Sequence, residues 1–153
     1  MSKPRLNAMS LAPALYKSVV AVETQIQNCG LEKSLIELVK MRASQINGCA
    51  FCLDMHSKDA RKDGETEHRL YLLNAWEESP LYSPRERAAL AWTEAVTRIA
   101  ETHAPDAAYE EVRRHFSEAE TVNLTTLVGL INLWNRIAIG FRSQHPVGST
   151  ATA

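Results

Sequence analysis

The sequence lacks an excess of charge of either sign. Its 153 residues include 17 lysines and arginines and 18 aspartates and glutamates, and the two signs alternate without forming runs. Nucleic acids and acidic membranes attract proteins through a concentrated basic field. We therefore expect neither among the partners. The length is that of one ordinary domain, and we predict a single domain over residues 1–143 and a flexible C-terminal tail over residues 144–153.

The N-terminus also lacks the apolar run of a secretory signal, because a proline and a lysine interrupt it. The most apolar stretch, residues 124–141, carries Asn132, Asn135 and Arg136 near its middle. A bilayer penalises such side chains, so this stretch is better interpreted as a buried or interface helix. These absences predict a cytoplasmic protein.

Cysteine is scarce, with three residues in the chain. An odd and small number does not form the disulfide framework of a secreted protein, and cytosolic thiols are normally kept reduced. Two of the three form a CxxC motif, Cys49 and Cys52. In a cytosolic protein such a pair is more often catalytic or metal-binding than structural.

No window shows the alternation of apolar and polar residues that a half-buried strand requires. The sequence predicts an all-α fold, a compact bundle of about seven helices with the CxxC motif at the N-terminus of the third. Capping residues, prolines and glycines mark the helices, which we predict from Ser10 to Asn28, over residues 32–47, from the cysteines to Gly64, from Thr66 to Glu78, from Ser83, from Pro105 to Phe116 and from Ser117 to the end of the apolar stretch.

The Asn47-Gly48 pair is a turn signal directly before Cys49, which puts both thiols in the first turn of a helix. Unpaired N–H groups and the helix dipole favour an anion there. In CxxC motifs at such positions, a cysteine pKa of about 8.5 can fall to roughly 3.5–7.5. The spacing also allows a reversible disulfide. His56 follows four residues after Cys52 on the same helical face, and we expect a functional role for it.

A helical hairpin about Gly48 adds Glu37 to the candidate site. Glu37 lies 11 positions before Gly48 and His56 lies 8 after it. At a rise of about 1.5 Å per residue, the two side chains lie within roughly one turn in height. A buried glutamate could hold the histidine tautomer and pass protons. The spacing leaves open the alternative that Glu37 belongs to a solvated surface with Lys33 and Lys40.

Three other chemistries compete for the CxxC motif. A structural zinc module could use both thiols, His56 and Cys29, but the sequence has no second knuckle. Haem attachment requires a histidine directly after the second cysteine, where Leu53 stands. A thioredoxin-like domain requires a preceding strand, whereas residues 32–47 favour helix. Cys29 has no partner at a useful spacing and is predicted to be an inert, packed thiol.

The chain contains Glu37, then eleven residues, then the CxxC motif, then three residues and His56. This pattern resembles that of the alkylhydroperoxidase D-like branch of the carboxymuconolactone decarboxylase family. The segments NGCAFCLDMHSKDARKDGE and SPRERAALAWTEAVT are also similar to that family's core, so the resemblance covers roughly residues 20–100. It implies an all-helical fold, trimers or hexamers, and a dithiol that reduces peroxides. By position, Cys52 would be the peroxidatic thiol, Cys49 the resolving thiol, and Glu37 with His56 the proton relay.

One position departs from that pattern, because Phe51 stands where the founding alkylhydroperoxidases have a histidine. We expect either that Glu37 and His56 suffice or that peroxidase activity is weak. The decarboxylase branch is disfavoured, since it does not rest on a CxxC pair.

These observations predict a cofactor-free dithiol oxidoreductase that reduces hydroperoxides through a Cys49–Cys52 disulfide, with no metal. The resemblance suggests a dihydrolipoyl-type dithiol as electron donor. A second hypothesis is a redox-sensing interaction protein that forms the same disulfide and turns over slowly. The apolar residues of the final helix occupy too much of its circumference for one stripe, which predicts a homo-oligomer, a trimer or hexamer by the resemblance.

Overall fold

A computed structural model describes residues 3–146, and in that range the chain forms nine α-helices, one 3₁₀ turn and no strand. The helices are α1 Ala8–Leu11, α2 Pro13–Gln27, α3 Lys33–Asn47, α4 Ala50–Lys62, α5 Glu67–Leu72, α6 Pro84–Thr97, α7 Ile99–Thr102, α8 Asp106–His115 and α9 Glu118–Phe141, with the 3₁₀ turn at Leu73–Ala75. The all-α prediction is confirmed.

The helix count of about seven was too low, because two predicted helices are each divided. The first is interrupted at Ala12, and Pro13 begins α2 at a position where its missing N–H costs no hydrogen bond. The second is interrupted at Arg98, whose backbone (φ −100°, ψ 35°) separates α6 from the four-residue α7. The CxxC motif consequently begins the fourth helix rather than the third.

The predicted helix starts and stops match the structure where side chains or glycines determine them. Ser83 and Ser117 each form a capping box, with Glu86 and Glu120 respectively. Gly48 ends α3 in the left-handed conformation at φ 69°. The helix predicted from Thr66 to Glu78 is shorter, since its α-helical part ends at Leu72. Of the predicted tail, residues 147–153 lie outside the described range.

Helix α3 occupies the centre of the molecule, where it packs against α4, α6 and α9. One core cluster joins the end of α2 with α3, α6, α8 and α9, and a second joins α3 with α4, α5, the 3₁₀ turn and α6. Residues 35–44 of α3 are all buried, including Glu37, Lys40 and Arg42. Helical spacing alone left open that Glu37 and Lys40 face solvent. They are buried because each is paired with a side chain of opposite or polar character from another element.

Helix α9 has the length and mean hydropathy of a membrane span, but its polar and apolar residues are arranged for packing within the protein. Five residues at alternating spacings of four and three form its buried stripe, namely Leu124, Val128, Ile131, Asn135 and Ala138. The opposite stripe is exposed, and consists of Val122, Thr126, Gly129, Leu133, Arg136 and Gly140. The domain itself therefore covers α9 except for this stripe and Ile139 near the C-terminal end, which is 46% exposed.

Candidate functional site

The two thiols of the CxxC motif lie at the start of α4, as the turn signal predicts. Cys49 is the N-cap residue, and its Sγ accepts a hydrogen bond from the backbone N–H of Cys52 at 3.4 Å. Both cysteines are buried and pack against Ala138 of α9. The thiols are thus held at a helix N-terminus and enclosed from the side by a second helix.

Cys49 is the more acidic thiol of the pair. A hydrogen bond from the Cys52 side chain is the largest cause that lowers its pKa, from an ordinary value of 9.0 to about 7. Burial opposes this shift, while the backbone N–H groups of Cys52 and Phe51 and the Asn135 amide favour it. The pKa of Cys52 is raised well above its usual range, because its S–H is donated to Cys49 and because it is buried. Cys49 is therefore the sulfur of the pair that ionises first.

Glu37 and His56 are brought together as the helical-hairpin spacing predicts. The Glu37 Oε2 atom lies 2.9 Å from His56 Nδ1. Both residues are buried, with 6% of Glu37 and 5% of His56 exposed. The solvated-surface interpretation of Glu37 is therefore wrong. Because Nδ1 faces the carboxylate, Nε2 is the imidazole nitrogen left for exchange with a substrate.

Two residues that sequence reasoning did not select extend this pair. Lys40 is buried, with its Nζ 3.7 Å from Glu37 and hydrogen-bonded to Glu23 of α2. Burial alone raises the pKa of Glu23, but the hydrogen bond and charge of Lys40 outweigh it and the net pKa lies below its ordinary value. Trp134 Nε1 also donates to Glu23. The three helices α2, α3 and α4 thus contribute one continuous group of charged side chains.

The site opens into a cavity of about 800 Å³. Cys52, His56, Glu37 and Lys40 line one wall, together with Phe51, and the other walls are mainly apolar side chains of residues 4–9, α2 and the end of α9. Cys49 is not among the lining residues. The N-terminal segment is fixed at this cavity by Arg5, whose backbone N–H donates to the Phe141 carbonyl at 3.0 Å. Cys52 is therefore the sulfur that a molecule in the cavity can reach.

Asn135 is the other residue that sequence reasoning missed, having noted it only as polar. It is fully buried, and it hydrogen-bonds to Ser44 and Asn47 in the last turn of α3. Its place on the buried stripe of α9, between Ile131 and Ala138, is the signal that could have identified it. A polar side chain on a core stripe requires partners, and here they lie in the last turn of α3, which leads into Cys49.

The third cysteine lies apart from this site. Cys29 is half-buried against the first core cluster, which does not include Cys49 or Cys52, and all three cysteines are free thiols. Within residues 3–146 there is no group of three or more histidine, cysteine and acidic side chains that could hold a metal ion. The structural zinc module consequently finds no support in the described part of the chain.

The fold and the site define an all-helical protein with a CxxC dithiol and a buried glutamate–histidine pair. The family model of the carboxymuconolactone decarboxylase family matches residues 13–95, and the chain belongs to the AhpD-like part of this family. It is 44% identical over 140 residues to the uncharacterized protein YdfG of Bacillus subtilis, covering 92% of this chain and 95% of that protein.

A crystal structure of an Agrobacterium tumefaciens protein superimposes with a TM-score of 0.92 at 54% identity, covering 95% of this chain and 99% of the other. That protein is described as of unknown function, with a suggested assignment to antioxidant defence as AhpD. A shorter match, 44% identical over 45 residues, covers 29% of this chain and 25% of the alkyl hydroperoxide reductase AhpD of Hyphomonas neptunium. These relatives support a peroxidase-like role.

Proposed function

We propose that the protein reduces organic hydroperoxides by forming a disulfide between Cys49 and Cys52. The observation that carries this proposal is the common wall of the cavity, where an accessible thiol with a second thiol beside it lies together with a buried histidine–carboxylate pair. This set contains a nucleophile, a resolving group and a proton donor, which are the three functions that peroxide reduction by a dithiol needs.

In the first step, the Cys52 sulfur attacks the terminal oxygen of the hydroperoxide. The S–O bond forms while the O–O bond breaks, and Cys52 becomes a sulfenic acid. The leaving alkoxide takes a proton and departs as an alcohol. Protonated His56 is the proposed donor, through Nε2, with Glu37 holding its other nitrogen.

In the second step, Cys49 passes to His56 the proton that it took from Cys52, and the resulting Cys49 thiolate attacks the sulfenic sulfur of Cys52. The disulfide forms and hydroxide leaves as water after taking one proton. The sum is one hydroperoxide and two thiols converted to one alcohol, one water and one disulfide. An external dithiol must then reduce the disulfide, and we propose a dihydrolipoyl-type donor, whose apolar chain suits the largely apolar cavity.

The roles of the two cysteines are assigned by access rather than by acidity. Cys49 carries the lower pKa, but only Cys52 borders the cavity. A thiolate that a peroxide cannot reach does not react with it, whereas a proton shared between adjacent sulfurs can move to Cys49 as Cys52 attacks. The same proximity later supplies Cys49 as the resolving thiol.

Phe51 replaces the histidine of the founding alkylhydroperoxidases and lines the cavity. A phenyl ring cannot transfer a proton, so the relay in this chain rests on His56 and Glu37, with Lys40 and Glu23 behind them. The ring instead adds apolar surface at the thiol, which favours an organic over an inorganic peroxide.

The direct test is steady-state consumption of an organic hydroperoxide with dihydrolipoic acid as the supplied reductant. We expect dithiol-dependent turnover in the wild type, none in Cys52→Ser, and wild-type turnover in Cys29→Ser, which is the matched control. Stoichiometric oxidation without turnover, under any supplied dithiol, would contradict catalysis and favour the redox-sensing hypothesis.

We also propose that the protein works as a homo-oligomer in the cytoplasm, as a trimer or a hexamer. The exposed stripe of α9 and the exposed apolar residues of α1 and α2, which include Met9, Leu11 and Leu15, support an assembly surface. A reducing compartment would keep the dithiol ready between turnovers.

A further inference from the structure

Lys40 lies between two carboxylates in the wall of the cavity, and it is only 3% exposed. Its Nζ atom forms an ion pair with Glu23 of α2 and lies 3.7 Å from the Oε1 atom of Glu37, one turn earlier on α3. A buried lysine is costly unless groups of opposite charge compensate it. The two carboxylates therefore allow the burial of Lys40, and the lysine joins them to each other.

The two oxygens of Glu37 have different partners. The Oε2 atom lies 2.9 Å from His56 Nδ1, and the Oε1 atom faces Lys40. Within residues 3–146, no other side chain forms a hydrogen bond or an ion pair with the Glu37 carboxylate. The terminal torsion of a glutamate is soft, so the carboxylate plane is fixed only by what lies on each side of it. A positive charge at one oxygen therefore helps to hold the other oxygen on the imidazole.

Glu23 holds Lys40 in this place. Besides its ion pair with the lysine, Glu23 accepts hydrogen bonds from Gln27 Nε2 at 3.2 Å and from Trp134 Nε1 at 3.3 Å. Three donors from three helices thus fix the anchoring carboxylate. Lys40 consequently stays 3.7 Å from Glu37, which is longer than a direct hydrogen bond. The charge of the lysine acts on Glu37 while the second oxygen of that carboxylate remains available to the imidazole.

We infer that Lys40, anchored by Glu23, is a positioning residue for the proton relay. It fixes the Glu37 carboxylate, which in turn holds Nδ1 of His56 and leaves Nε2 to protonate the leaving oxygen of the substrate. Lys40 acts through Glu37 and not on the reacting atoms. The role rests on the proposed function for its chemistry, whereas the orientation of the imidazole is a property of the reduced protein that is measured without peroxide.

The first experiment records the nitrogen resonances of His56 in isotope-labelled, reduced protein at a pH where the imidazole is neutral. In the wild type we expect one tautomer, with the proton on Nδ1, because Glu37 Oε2 faces that nitrogen. Lys40→Met removes the charge at similar side-chain length and should give a mixture of both tautomers. Lys33→Met, at the exposed start of α3, is the matched control and should keep the single tautomer. An unchanged single tautomer in Lys40→Met would overturn the inference.

The second experiment compares two oxidants whose leaving groups differ in their need for a proton. An alkyl hydroperoxide releases an alkoxide, which is a strong base, whereas peroxyacetic acid releases a carboxylate that is stable without a proton. Lys40→Met should slow single-turnover oxidation of Cys52 by the alkyl hydroperoxide about tenfold, a part of the full acid–base effect, and oxidation by peroxyacetic acid less than about twofold. A merely structural role would slow both reactions equally, and equal losses would overturn the inference.

The anchor is tested by Glu23→Gln, which keeps an acceptor oxygen but removes the charge that holds Lys40. We expect a smaller loss with the same dependence on the oxidant. Because Glu23 acts through Lys40, the double variant should be no slower than Lys40→Met alone. Losses that multiply would show that Glu23 acts independently of the lysine. Glu23→Gln also decides the inference by itself, since wild-type rates with both oxidants would overturn it.

The outcomes separate this inference from the proposed function. A single His56 tautomer that is lost in Lys40→Met, in a protein that consumes no hydroperoxide, would contradict the peroxidase and leave the hold of Lys40 on the imidazole standing. Dithiol-dependent turnover in the wild type, with the same rate and the same tautomer in Lys40→Met, would do the reverse.

Discussion

The 2.9 Å contact between Glu37 and His56 joins two helices that meet only because Gly48 reverses the chain between them. Both side chains are enclosed, and Lys40 faces the second carboxylate oxygen. These contacts hold the carboxylate in place, so it orients the imidazole of His56. The pair therefore lies in the same cavity wall as Cys52, where the proposed mechanism requires a proton donor.

We predict that His56→Ala and Glu37→Gln each slow peroxide-driven disulfide formation by about 100-fold, the usual magnitude of general acid–base assistance. The alkoxide would then leave without a positioned proton donor. Single-turnover measurements of thiol loss in the reduced protein give the rate. His68→Ala is the matched control, because His68 is exposed on α5 and away from the cavity. Unchanged rates in both site variants would show that the pair only supports the fold.

The thiol pair also predicts a pH dependence. Because the pKa of Cys49 is lowered to about 7, the pair loses its first proton near neutrality instead of near 9.0. The rate of oxidation by peroxide should rise about tenfold per pH unit below 7 and level off above it. A midpoint near that of an ordinary thiol would mean that neither the helix start nor the neighbouring groups activates the sulfurs.

At the scale of helices, the capping box of α9 is the local feature with the clearest energetic consequence. The Ser117 Oγ atom accepts a hydrogen bond from the Glu120 backbone N–H at 3.2 Å. The Glu120 carboxylate in turn accepts one from the Ser117 backbone N–H at 2.7 Å. We predict that Ser117→Ala lowers the free energy of unfolding by about 1 kcal/mol, measured by denaturant titration. Thr126→Ala removes a hydroxyl from the exposed side of the same helix and should cost less.

The same cap predicts how this contribution depends on pH. The Ser117 backbone N–H, followed by the Arg85 guanidinium, lowers the pKa of Glu120 from 4.5 to about 2. A pKa that is lower in the folded state stabilises the fold above the unfolded value of about 4.5, and that contribution is lost as the pH falls towards 2. The stability difference between wild type and Glu120→Gln should therefore shrink over this interval. An equal stability difference between the two proteins at pH 4.5 and at about pH 2 would contradict the lowered pKa of Glu120.

The sequence predicts helix boundaries well where a side chain or a glycine determines them, as at Ser83, Ser117 and Gly48. It does not predict the divisions at Ala12 and Arg98, where both sides have helical composition. The sequence left it open whether Glu37 and Lys40 of α3 face solvent, because a helical wheel has no information about partners from other elements. Arg42 is 52 residues from Glu94 in sequence, and Lys40 is 17 from Glu23, yet these pairs allow burial.

The candidate site shows the same division between local and long-range information. The CxxC motif, His56 and Glu37 follow local spacings about one turn, so a single helical hairpin is enough to bring them together. Asn135 lies 91 residues from its partner Ser44 and belongs to another helix. Only the packing of α9 against α3 gives it a place at the thiols, and no local pattern encodes that contact.

For the whole molecule, the exposed stripe of α9 is the surface on which an assembly prediction can be tested. Val122 and Leu133 are its apolar residues, 64% and 40% exposed. We predict that the double change Val122→Asp with Leu133→Asp dissociates the proposed oligomer, because each aspartate would place an unpaired charge in the proposed contact. Sedimentation of dilute protein measures the change.

Tyr71→Asp provides the control for this prediction, since Tyr71 is exposed on α5 and away from the stripe. It should leave the sedimentation coefficient unaltered. A wild-type chain that remains a folded monomer of 17.1 kDa at all concentrations would show that the fold needs no such interface.

The most direct measurement for the dithiol mechanism is a thiol count and peptide map of the reduced protein after one equivalent of an organic hydroperoxide. We predict the loss of two thiols per chain, a bridge between Cys49 and Cys52, and an intact Cys29. In Cys49→Ser, the same treatment should leave a sulfenic acid on Cys52 that a sulfenic-acid trap captures. A bridge that includes Cys29, or an unchanged count of three free thiols, would contradict the mechanism.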